Sequence, residues 1–542
     1  MTISSPAEKS FLASLRSSLP PILPKFLLKQ RWFGGKARTI RSVEISDVVP
    51  FCFDTLRSYF LVARVEYDSG PAETYDIPLV RTSGEPAQLD RESSRLRVKP
   101  LDLQEEIVLE DALMDEQFLI RLLEAMAKGL TLDAGKGHIR AVSTAALPEL
   151  WQPLQGPLTP SLMKAEQSNS SVVYEKRLVL KIFRRLEEGL NPDLEIGSFL
   201  IGKTSFRNVP PLAGYVEYRN EKGSRTALGM LQGYVTNQGD AWQFTLKALA
   251  EYYGKARPQG TPGASEASDA SLLALSGQAI PDSVVQQIGP YLDAAALLGR
   301  RTAELHLALA SSTEDPDFAP QPFSGGDRQA LANSAVQLMT GNFGLLRRLK
   351  DEMPDHTRQE ADRVLNLEAT GRRRFQLLTG IESSTTVTRI HGDYHLGQVL
   401  FTGSDFVIID FEGEPARTLA ERRKKRSPLQ DVAGMLRSFH YAAYAPLLQQ
   451  GNTERPRQEE LRALGNWARF WQQWVSVAFL KAYLEISGNA TFIPEDREEL
   501  ALLLDLYLLD KAVYELGYEL NNRPSWVRIP LDGISQLLQD SD

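Results

Sequence analysis

The chain has 542 residues, of which 42% are hydrophobic and 24% charged, so we expect a globular protein of two to four domains. Its formal net charge is −8, which does not favour nucleic acid or an anionic membrane as a partner. The single cysteine, Cys52, excludes an intramolecular disulfide framework and a cysteine-rich zinc site. No window reaches the roughly 18 uninterrupted apolar residues of a membrane span, and the N-terminus lacks the pattern of a signal peptide. We therefore expect a cytoplasmic protein.

The first predicted domain covers residues 1–95 and consists of a short helix followed by strands. Ser58–Tyr67 ends at an Asp-Ser-Gly turn signal, and Glu73–Val80 can form the return strand of a hairpin. The Arg31–Arg38 segment contains two glycines that permit a tight turn. We interpret this segment as a loop anchored by its tryptophan and phenylalanine rather than as a catalytic element.

The second predicted domain, residues 96–235, contains a candidate phosphate-binding turn within Ala165–Tyr174. Serine and asparagine tolerate turn geometry and can present backbone N–H groups to phosphate oxygens. This turn contains neither a G-x-G-x-x-G loop nor a G-x-x-x-x-G-K-[ST] loop. Taken alone, the turn fits a plain hairpin as well as a nucleotide loop. The candidate nucleotide-binding residues within it are Gln167, Ser168, Asn169, Ser170 and Ser171.

A lysine inside an apolar strand follows this turn. Lys181 lies within Leu178–Phe183, and a desolvated ammonium group needs a partner. In kinase-like folds such a lysine holds the α- and β-phosphates and pairs with a helix glutamate. Glu195, at a predicted helix start, is our choice of partner, with Asp193 and Glu188 as alternatives. An edge-strand lysine that points at water would also explain the pattern.

The third predicted domain, residues 236–542, has a helical pattern apart from strands around one central motif. A segment near 256–280 interrupts the pattern, because it is rich in glycine, proline, serine and alanine. Its first part has no large apolar residue and cannot bury enough surface to offset the entropy of ordering. We therefore predict a mobile surface insertion there.

The central motif is the most informative part of the chain. His391–Gln398 is followed by Val407–Glu412, which places Asp393 and Asp410 17 positions apart. Gln398 lies five positions after the first aspartate. Protein kinases use this spacing for a catalytic aspartate, a metal-binding amide and a metal-binding aspartate. A hairpin with scattered acids is the alternative, but three coupled features rarely arise together by chance.

These residues have separate predicted roles. Asp393 is the predicted base that positions and deprotonates an acceptor hydroxyl. Gln398 and Asp410 are the predicted Mg²⁺ ligands, since hard oxygen donors suit a metal held mostly by phosphates. Glu412 lies on the same side of an extended strand as Asp410 and could reach the same metal or a second one. His395 is either a packed histidine or a substrate contact.

Two features follow the central motif. The basic run in Glu421–Pro428 is predicted to be a solvated surface. Residues 427–439 have the pattern of a capped helix, in which Asp431 either bonds back to the catalytic loop or simply favours the helix start.

Polar and aromatic residues recur at three- and four-residue spacings near the C-terminus, so they share one helical face. Such a face suits a sugar, whose hydroxyls need hydrogen bonds and whose ring faces stack on aromatics. An exposed helix with ion pairs between successive turns is the alternative. The residues of this face are Lys511, Tyr514, Glu515, Tyr518 and Glu519.

The joint set of motifs resembles bacterial maltokinase, a family that also occurs fused to trehalose synthase. The resemblance implies an α+β, bilobal, aminoglycoside-phosphotransferase-like kinase fold, with an N-terminal α/β cap domain and a mostly helical C-terminal lobe. It also implies ATP-dependent phosphorylation of maltose at the anomeric hydroxyl, giving maltose 1-phosphate for glycogen or α-glucan synthesis. The motifs that carry it are Arg31–Lys36, Gln167–Ser171, Leu231–Asp240, His391–Gln398, Asp410–Pro415, Arg426–Ser438 and Lys511–Trp526.

The resemblance also assigns residues. It places the catalytic aspartate at Asp393, the metal ligands at Gln398 and Asp410, and the nucleotide lysine at Lys181. A hinge facing the adenine falls on Leu231–Val235, with Gln232, Tyr234 and Val235 as nucleotide contacts. Sugar contacts fall on His395, Lys511, Tyr514, Glu519 and Arg523.

The chain departs from the family pattern at Tyr394, where leucine is common, and at His440, where an acid is more usual. A change beside the catalytic loop could alter the sugar preference, so a kinase of another small sugar or of an amino sugar such as glucosamine is the second hypothesis. A non-catalytic kinase-like module that binds trehalose synthase is the third. The four groups Lys181, Asp393, Gln398 and Asp410 argue against it, because a pseudoenzyme has no chemical reason to keep all of them.

Overall fold

The computed structural model describes residues 6–82, 95–99, 106–133, 136–152, 156–163, 169–256, 270–449 and 458–539. The chain divides into two compact units, the first made of Met1–Ile201 with Pro210–Thr236 and the second of Gly202–Val209 with Asn237–Asp542. The boundary expected near residue 235 lies at the junction of these units, whereas the boundary expected at 95 lies inside the first unit. Within the described ranges, no helix is both long and apolar enough to cross a membrane.

The first unit consists mainly of antiparallel strands. Its helices are α1 (Pro6–Ser18), α2 (Leu23–Lys29), α3 (Glu116–Ala127), α4 (Leu147–Leu150) and α5 (Pro192–Lys203). Its strands are β1 (Ile40–Phe53), β2 (Leu56–Tyr67), β3 (Glu73–Thr82), β4 (Arg95–Val98), β5 (Ile107–Asp111), β6 (Thr131–Asp133), β7 (Gly137–Ser143), β8 (Pro160–Leu162), β9 (Asn169–Tyr174), β10 (Leu178–Phe183), β11 (Arg185–Leu186), β12 (Leu212–Asn220) and β13 (Arg225–Gly233).

Two sheets organise these strands. The first, called the cap sheet below, has the order β1-β2-β3-β5-β4, and β11 pairs with β3. The second sheet has the order β6-β7-β12-β13-β10-β9-β8. The predicted hairpin is confirmed, because Ser58 in β2 pairs with Val80 in β3.

Alternating side chains build the core of this unit. Phe51 and Phe60 of the cap sheet share one cluster with Phe118 of α3 and Leu180 of β10, so α3 packs with strands of both sheets. The predicted anchoring of the Arg31–Arg38 loop is confirmed, since Trp32 and Phe33 are buried.

The second unit is mainly helical. Its helices are α6 (Ala241–Ala256), α7 (Leu272–Ser276), α8 (Asp282–Ile288), α9 (Tyr291–Leu309), α10 (Gly325–Leu349), α11 (Asp355–Asn366), α12 (Glu368–Leu377), α13 (Leu419–Arg422), α14 (Leu429–Gln449), α15 (Gln458–Ser487), α16 (Arg497–Asn522) and α17 (Arg528–Gln539). Its short strands are β14 (Gln321–Pro322), β15 (Thr386–Val387), β16 (Val399–Phe401) and β17 (Phe406–Ile408).

Two expectations for this unit need correction. The insertion predicted near 256–280 lies outside the described residues at 257–269, but its later part forms α7 and buries Leu273 and Leu275. Apolar residues that were counted with the polar segment therefore belong to the helical core. The basic run is not simply solvated either, because the Lys425 ammonium donates to the carbonyl oxygens of Pro316 (2.7 Å) and Ala319 (2.6 Å).

Candidate active site

The catalytic-loop motif ends in a short 3₁₀ helix that leads directly into β16. This helix covers Leu396–Gln398, and the His395 side chain caps it by accepting a hydrogen bond from the Gly397 N–H at Nδ1 (3.1 Å). The other ring nitrogen of His395, Nε2, lies 4.0 Å from Asp393 Oδ2. Burial lowers the pKa of His395, so the imidazole is neutral near pH 7. Both roles predicted for His395 remain compatible with this position.

Helix α14 holds the backbone of the loop in place. The Asp431 carboxylate accepts hydrogen bonds from the N–H groups of His391 (2.7 Å) and Gly392 (2.9 Å). One turn further, a Cβ on Gly434 would lie 2.6 Å from the Tyr394 carbonyl oxygen, so glycine is needed for this close approach. Of the two roles considered for Asp431, the structure shows the one in which it bonds back to the catalytic loop.

The Asp431 carboxylate is itself buried and paired. His306 Nε2 on α9 lies 3.2 Å from Asp431 Oδ2, and His306 Nδ1 lies 3.0 Å from the Tyr483 hydroxyl. Burial acts to raise the pKa of Asp431, but the hydrogen bonds from His306 and Gly392 outweigh it and lower that pKa. The loop is therefore anchored by an ionised carboxylate whose position is fixed by a second helix.

The His391 side chain links the two halves of the motif. Its Nε2 lies 2.9 Å from the Ile409 carbonyl oxygen, and its Nδ1 accepts from the Asp393 N–H at 3.3 Å. A carbonyl can only accept, so this arrangement needs the neutral tautomer with the proton on Nε2. The ring also packs against Phe411, with centroids 4.9 Å apart. His391 thereby couples the Asp393 backbone to the segment that carries Asp410.

The predicted metal ligands lie together at the end of β17. Gln398 Nε2 donates to Asp410 Oδ2 at 2.8 Å, and carboxylate oxygens of Asp410 and Glu412 lie within 4.8 Å of each other. Asp410 has a φ of 67°, a left-handed conformation that non-glycine residues adopt rarely and that aspartate tolerates better than most. An amide and two carboxylates are donors that fit Mg²⁺.

Asp393 has a cationic neighbour on α16. Lys511 Nζ lies 3.5 Å from Asp393 Oδ1 and 3.4 Å from Glu414 Oε1. Burial alone would lower the pKa of Lys511, but these two carboxylates outweigh it and raise that pKa above its ordinary value. Lys511 is therefore a permanent cation beside the predicted base.

Charged residues that the sequence reasoning missed line the small cavity next to this pair. Glu414 is buried, and its Oε2 lies 2.5 Å from Arg417 Nε. Asp510 lines the same cavity, which has a volume of about 30 Å³ and also contains Asp393, Lys511 and Tyr514. Burial raises the pKa of Asp510 to about 6 despite the opposing charge of Arg417. Glu414 and Asp510 stand next to recognised motif residues, which is the signal that could have found them.

The predicted sugar contacts divide into two groups. Tyr514 belongs with Lys511, whose Nζ lies 4.8 Å from the centre of the Tyr514 ring. Glu519, about two turns beyond Lys511 on α16, and Arg523, the residue after that helix ends, form a bidentate pair with distances of 2.7 and 3.0 Å. The Arg523 guanidinium also lies over the Trp526 ring, 4.7 Å from its centre. Among the residues that line the cavity, neither Glu519 nor Arg523 is found.

The two departures from the family pattern have structural explanations. Tyr394 is buried, and its hydroxyl lies 2.9 Å from Thr302 Oγ1 on α9, so the larger side chain enters the helical core. His440 is buried too, with Nδ1 2.6 Å from Arg437 Nη1 and Nε2 3.6 Å from Asp532 Oδ2.

The strand lysine lies in the first unit. Lys181 in β10 pairs in register with Ser171 of β9 and with Met230 of β13. Its Nζ lies 3.2 Å from Asp193 Oδ2. Asp193, one of the two alternatives to Glu195, therefore supplies the carboxylate at this contact, near the start of α5 at Pro192.

The other nucleotide candidates occupy strand and junction positions. Asn169, Ser170 and Ser171 belong to β9 rather than to a turn, while Gln167 and Ser168 lie outside the described residues. Gln232 lies near the end of β13, and the partly buried Tyr234 and Val235 follow where the first unit ends.

Comparisons with known proteins agree with this architecture. Residues 26–115 match the family model described as the maltokinase N-terminal cap domain. This match confirms the resemblance to maltokinase over the cap region, which includes every strand of the cap sheet except β11.

Two curated relatives are glucosamine kinases. The protein from Mycolicibacterium smegmatis is 25% identical over 278 residues, or 51% of this chain and 58% of the relative. That from Streptacidiphilus jiangxiensis is 26% identical over 249 residues, or 45% of this chain and 49% of the relative. The chain thus spans about half the length of the curated relatives it matches. Both are kinases, in agreement with the enzyme class predicted from the catalytic loop.

Solved structures of glucosamine kinase extend the likeness across the chain. A complex with glucosamine, ADP and inorganic phosphate has a TM-score of 0.57 at 16% identity, covering 94% of this chain and 95% of that one. A second crystal form has the same TM-score at 17% identity, covering 95% and 97%. These matches confirm the predicted kinase-like fold with an N-terminal cap.

Proposed function

We propose that this protein is an ATP-dependent sugar kinase that uses Asp393 as its base and phosphorylates maltose at the anomeric hydroxyl. The observation that carries the proposal is the position of Asp393. Its loop backbone is fixed by Asp431, its carboxylate faces Lys511, and the amide and carboxylates of Gln398, Asp410 and Glu412 follow in the order that kinases use.

The proposed reaction needs little covalent participation by the protein. An acceptor hydroxyl donates a hydrogen bond to the Asp393 carboxylate, and its oxygen attacks the γ-phosphorus of ATP. The bond from that phosphorus to the bridging oxygen breaks, ADP leaves, and Asp393 receives the hydroxyl proton. The Lys511 ammonium group lies beside the Asp393 carboxylate and holds the oxygen that faces it.

Gln398, Asp410 and Glu412 are the residues that would hold Mg²⁺, which supplies neutralisation of the negative charge on the phosphates when it is bound. The hydrogen bond from the Gln398 amide orients the Asp410 carboxylate. Lys181, oriented by Asp193, is the proposed cation for the α- and β-phosphates.

The charge beside Asp393 favours a neutral acceptor. A hydroxyl within hydrogen-bond reach of Asp393 places the neighbouring groups of the sugar close to the Lys511 ammonium. A neutral hydroxyl there can accept a hydrogen bond from Lys511, whereas the ammonium group of an amino sugar is repelled. Maltose has hydroxyl groups and no ammonium group, so it is a neutral acceptor of this kind. The family model that matches residues 26–115 is that of the maltokinase N-terminal cap domain, which also favours maltose.

Glucosamine is the second candidate acceptor, because the curated relatives and the solved structures are glucosamine kinases. Asp510 and Glu414 supply carboxylates in the same cavity, and these could bind an ammonium group. The choice between the two acceptors therefore depends on whether the positive charge of Lys511 or the negative charges of Glu414 and Asp510 dominate the electrostatic potential in the cavity.

The test is ATP turnover with a panel of maltose, glucose, glucosamine and aminoglycosides. We expect the highest kcat/KM with maltose. A preference for glucosamine would replace maltose as the acceptor and leave the kinase chemistry intact. Absence of turnover with every sugar, together with binding to trehalose synthase, would favour a non-catalytic module.

A further inference from the structure

The helical unit contains a second cavity, separate from the one that contains Asp393. Residues of α7, α12, α14, α15, α16 and α17 line it, and the two cavities have no lining residue in common. Its volume is about 230 Å³, below the roughly 300–1,000 Å³ of sites for drug-sized ligands, so it suits a small ligand. We call it the arginine cavity, because three arginines line it, namely Arg374, Arg437 and Arg469.

Arg437 on α14 is a buried guanidinium that is fixed from two sides. Its side chain is only 4% exposed. Its Nε and Nη2 donate to Glu515 Oε2 at 2.9 and 2.7 Å, and its Nη1 lies 2.6 Å from His440 Nδ1. A guanidinium has five N–H groups, and these contacts use three of them. Counted over the described residues, two N–H groups of this arginine therefore remain for a ligand.

The neighbours of Arg437 keep it in one position. Its Nη1 can only donate, so His440 Nδ1 accepts and the imidazole proton is on Nε2, 3.6 Å from Asp532 Oδ2. Burial and the charge of Arg437 both lower the pKa of His440, so the ring is neutral near pH 7. A Cβ at position 533 would collide with the guanidinium, so Gly533 lets the backbone of α17 lie against it. The donors that remain are thus preorganised.

The other two arginines supply the attraction for an anion, because the charge of Arg437 is balanced by Glu515. Arg374 on α12 donates from Nη1 to the Leu537 carbonyl oxygen at 2.6 Å, which is a neutral partner. Arg469 on α15 lines the same cavity and is exposed. Guanidinium groups are donors only, so a ligand has to supply acceptor oxygens. Phosphate supplies them in a geometry that guanidinium groups match.

The remaining lining residues suit the hydroxyls and the carbon ring of a sugar. Gln472 and Gln536 contribute carboxamides, which both donate and accept hydrogen bonds, as sugar hydroxyls do. Asp505 is the one carboxylate among the described residues that line the cavity, and it can accept from a hydroxyl. Leu504 and Leu508 of α16 add apolar surface. The cavity therefore combines groups for a phosphate with groups for a sugar.

We propose that the arginine cavity binds a small phosphorylated sugar, with the phosphate on Arg374 and Arg437 and the hydroxyls on the carboxamides. The proposal goes beyond the proposed function and does not depend on it, because the cavity includes none of the residues assigned to phosphoryl transfer.

The experiment is calorimetry on the full chain without nucleotide or Mg²⁺, with glucose 1-phosphate, glucose 6-phosphate, inorganic phosphate and glucose as probes. At least one sugar phosphate should bind saturably and more tightly than inorganic phosphate or glucose. Arg374→Met should raise the Kd of that sugar phosphate about tenfold, as expected for the loss of hydrogen bonds from a charged group. The matched control is Arg373→Met, which removes the preceding, exposed arginine of α12 and should leave the Kd unchanged.

Lys511→Met distinguishes the two cavities, because a sugar phosphate held in the arginine cavity should keep its Kd in that variant. Loss of binding in Lys511→Met but not in Arg374→Met would assign the ligand to the acceptor cavity and overturn the proposal. Binding of neither sugar phosphate, inorganic phosphate bound as tightly as they are, or an equal loss in Arg373→Met would overturn it too.

A second variant keeps the test decisive if Arg374→Met does not fold. Arg469→Met changes an exposed side chain of the same cavity, and an unchanged Kd in that variant would then reject the site. Absence of kinase turnover with every sugar would reject the proposed function and leave these binding measurements unaffected.

Discussion

Lys181 and Lys511 both hold an ammonium group beside carboxylates, but their partners come from different distances along the chain. Lys181 contacts Asp193, 12 residues away at the start of a helix. Lys511 contacts Asp393 and Glu414, which are 118 and 97 residues away. A local pair can be guessed from the sequence, whereas a pair made by the tertiary fold cannot. The comparison also separates two proposed tasks, phosphate binding for Lys181 and acceptor placement for Lys511.

The largest loss of activity is expected from substitution of Asp393, the predicted base beside Lys511. Asp393→Asn keeps the shape of the side chain and removes its ability to take a proton, so kcat should fall by about 10²–10⁴. ATP affinity should survive, because Asp393 has no proposed contact with the nucleotide. Steady-state rates and ATP calorimetry check both parts, and wild-type rates would refute the base assignment. The control is Asp362→Asn, which makes the same chemical change to an aspartate on α11 that pairs with Lys350.

Removing each lysine in turn should separate the two tasks. Lys181→Met should raise the KM for ATP about 10–100-fold and leave the KM for maltose unchanged, because a charged hydrogen-bond donor is lost from the phosphate side. Lys511→Met should do the opposite, raising the KM for maltose by a similar factor. Initial rates with each substrate varied in turn measure the split. Equal changes in both KM values for both variants would show that the lysines do not have separate roles. The control is Lys350→Met, which removes an ammonium group far from either motif in the sequence and should change neither KM value.

The same contrast explains how much of the molecule was predictable. The β2–β3 hairpin and the buried loop of Trp32 follow from local pattern, because alternation and turn residues act over a few positions. Lys181 was recognised for the same reason, since a lysine among apolar strand residues is conspicuous. The contact of Lys181 with Asp193 was only one of three alternatives, because the sequence does not fix to the residue where the following helix begins.

The acceptor side was less accessible to sequence reasoning. Asp393 and Asp410 could be found from their spacing, and Asp431 was named as a possible anchor of the loop. Glu414 and Asp510 were passed over although they lie within or beside recognised motifs, because their residue type alone does not distinguish them from surface acids. Their importance comes from burial and from Lys511 and Arg417, which only the packing of the helical unit brings to them. Glu519 and Arg523 show the converse, since these two predicted sugar contacts lie four residues apart and pair with each other.

The most direct test of the central claim is the identity of the product. Wild-type protein is incubated with ATP, Mg²⁺ and maltose, and the mixture is followed by ³¹P NMR with detection of coupling to sugar protons. The account predicts one new phosphate ester signal coupled to the anomeric proton, with one ADP formed for each ester. A phosphate at another position, or ATP converted only to ADP and inorganic phosphate, would contradict it.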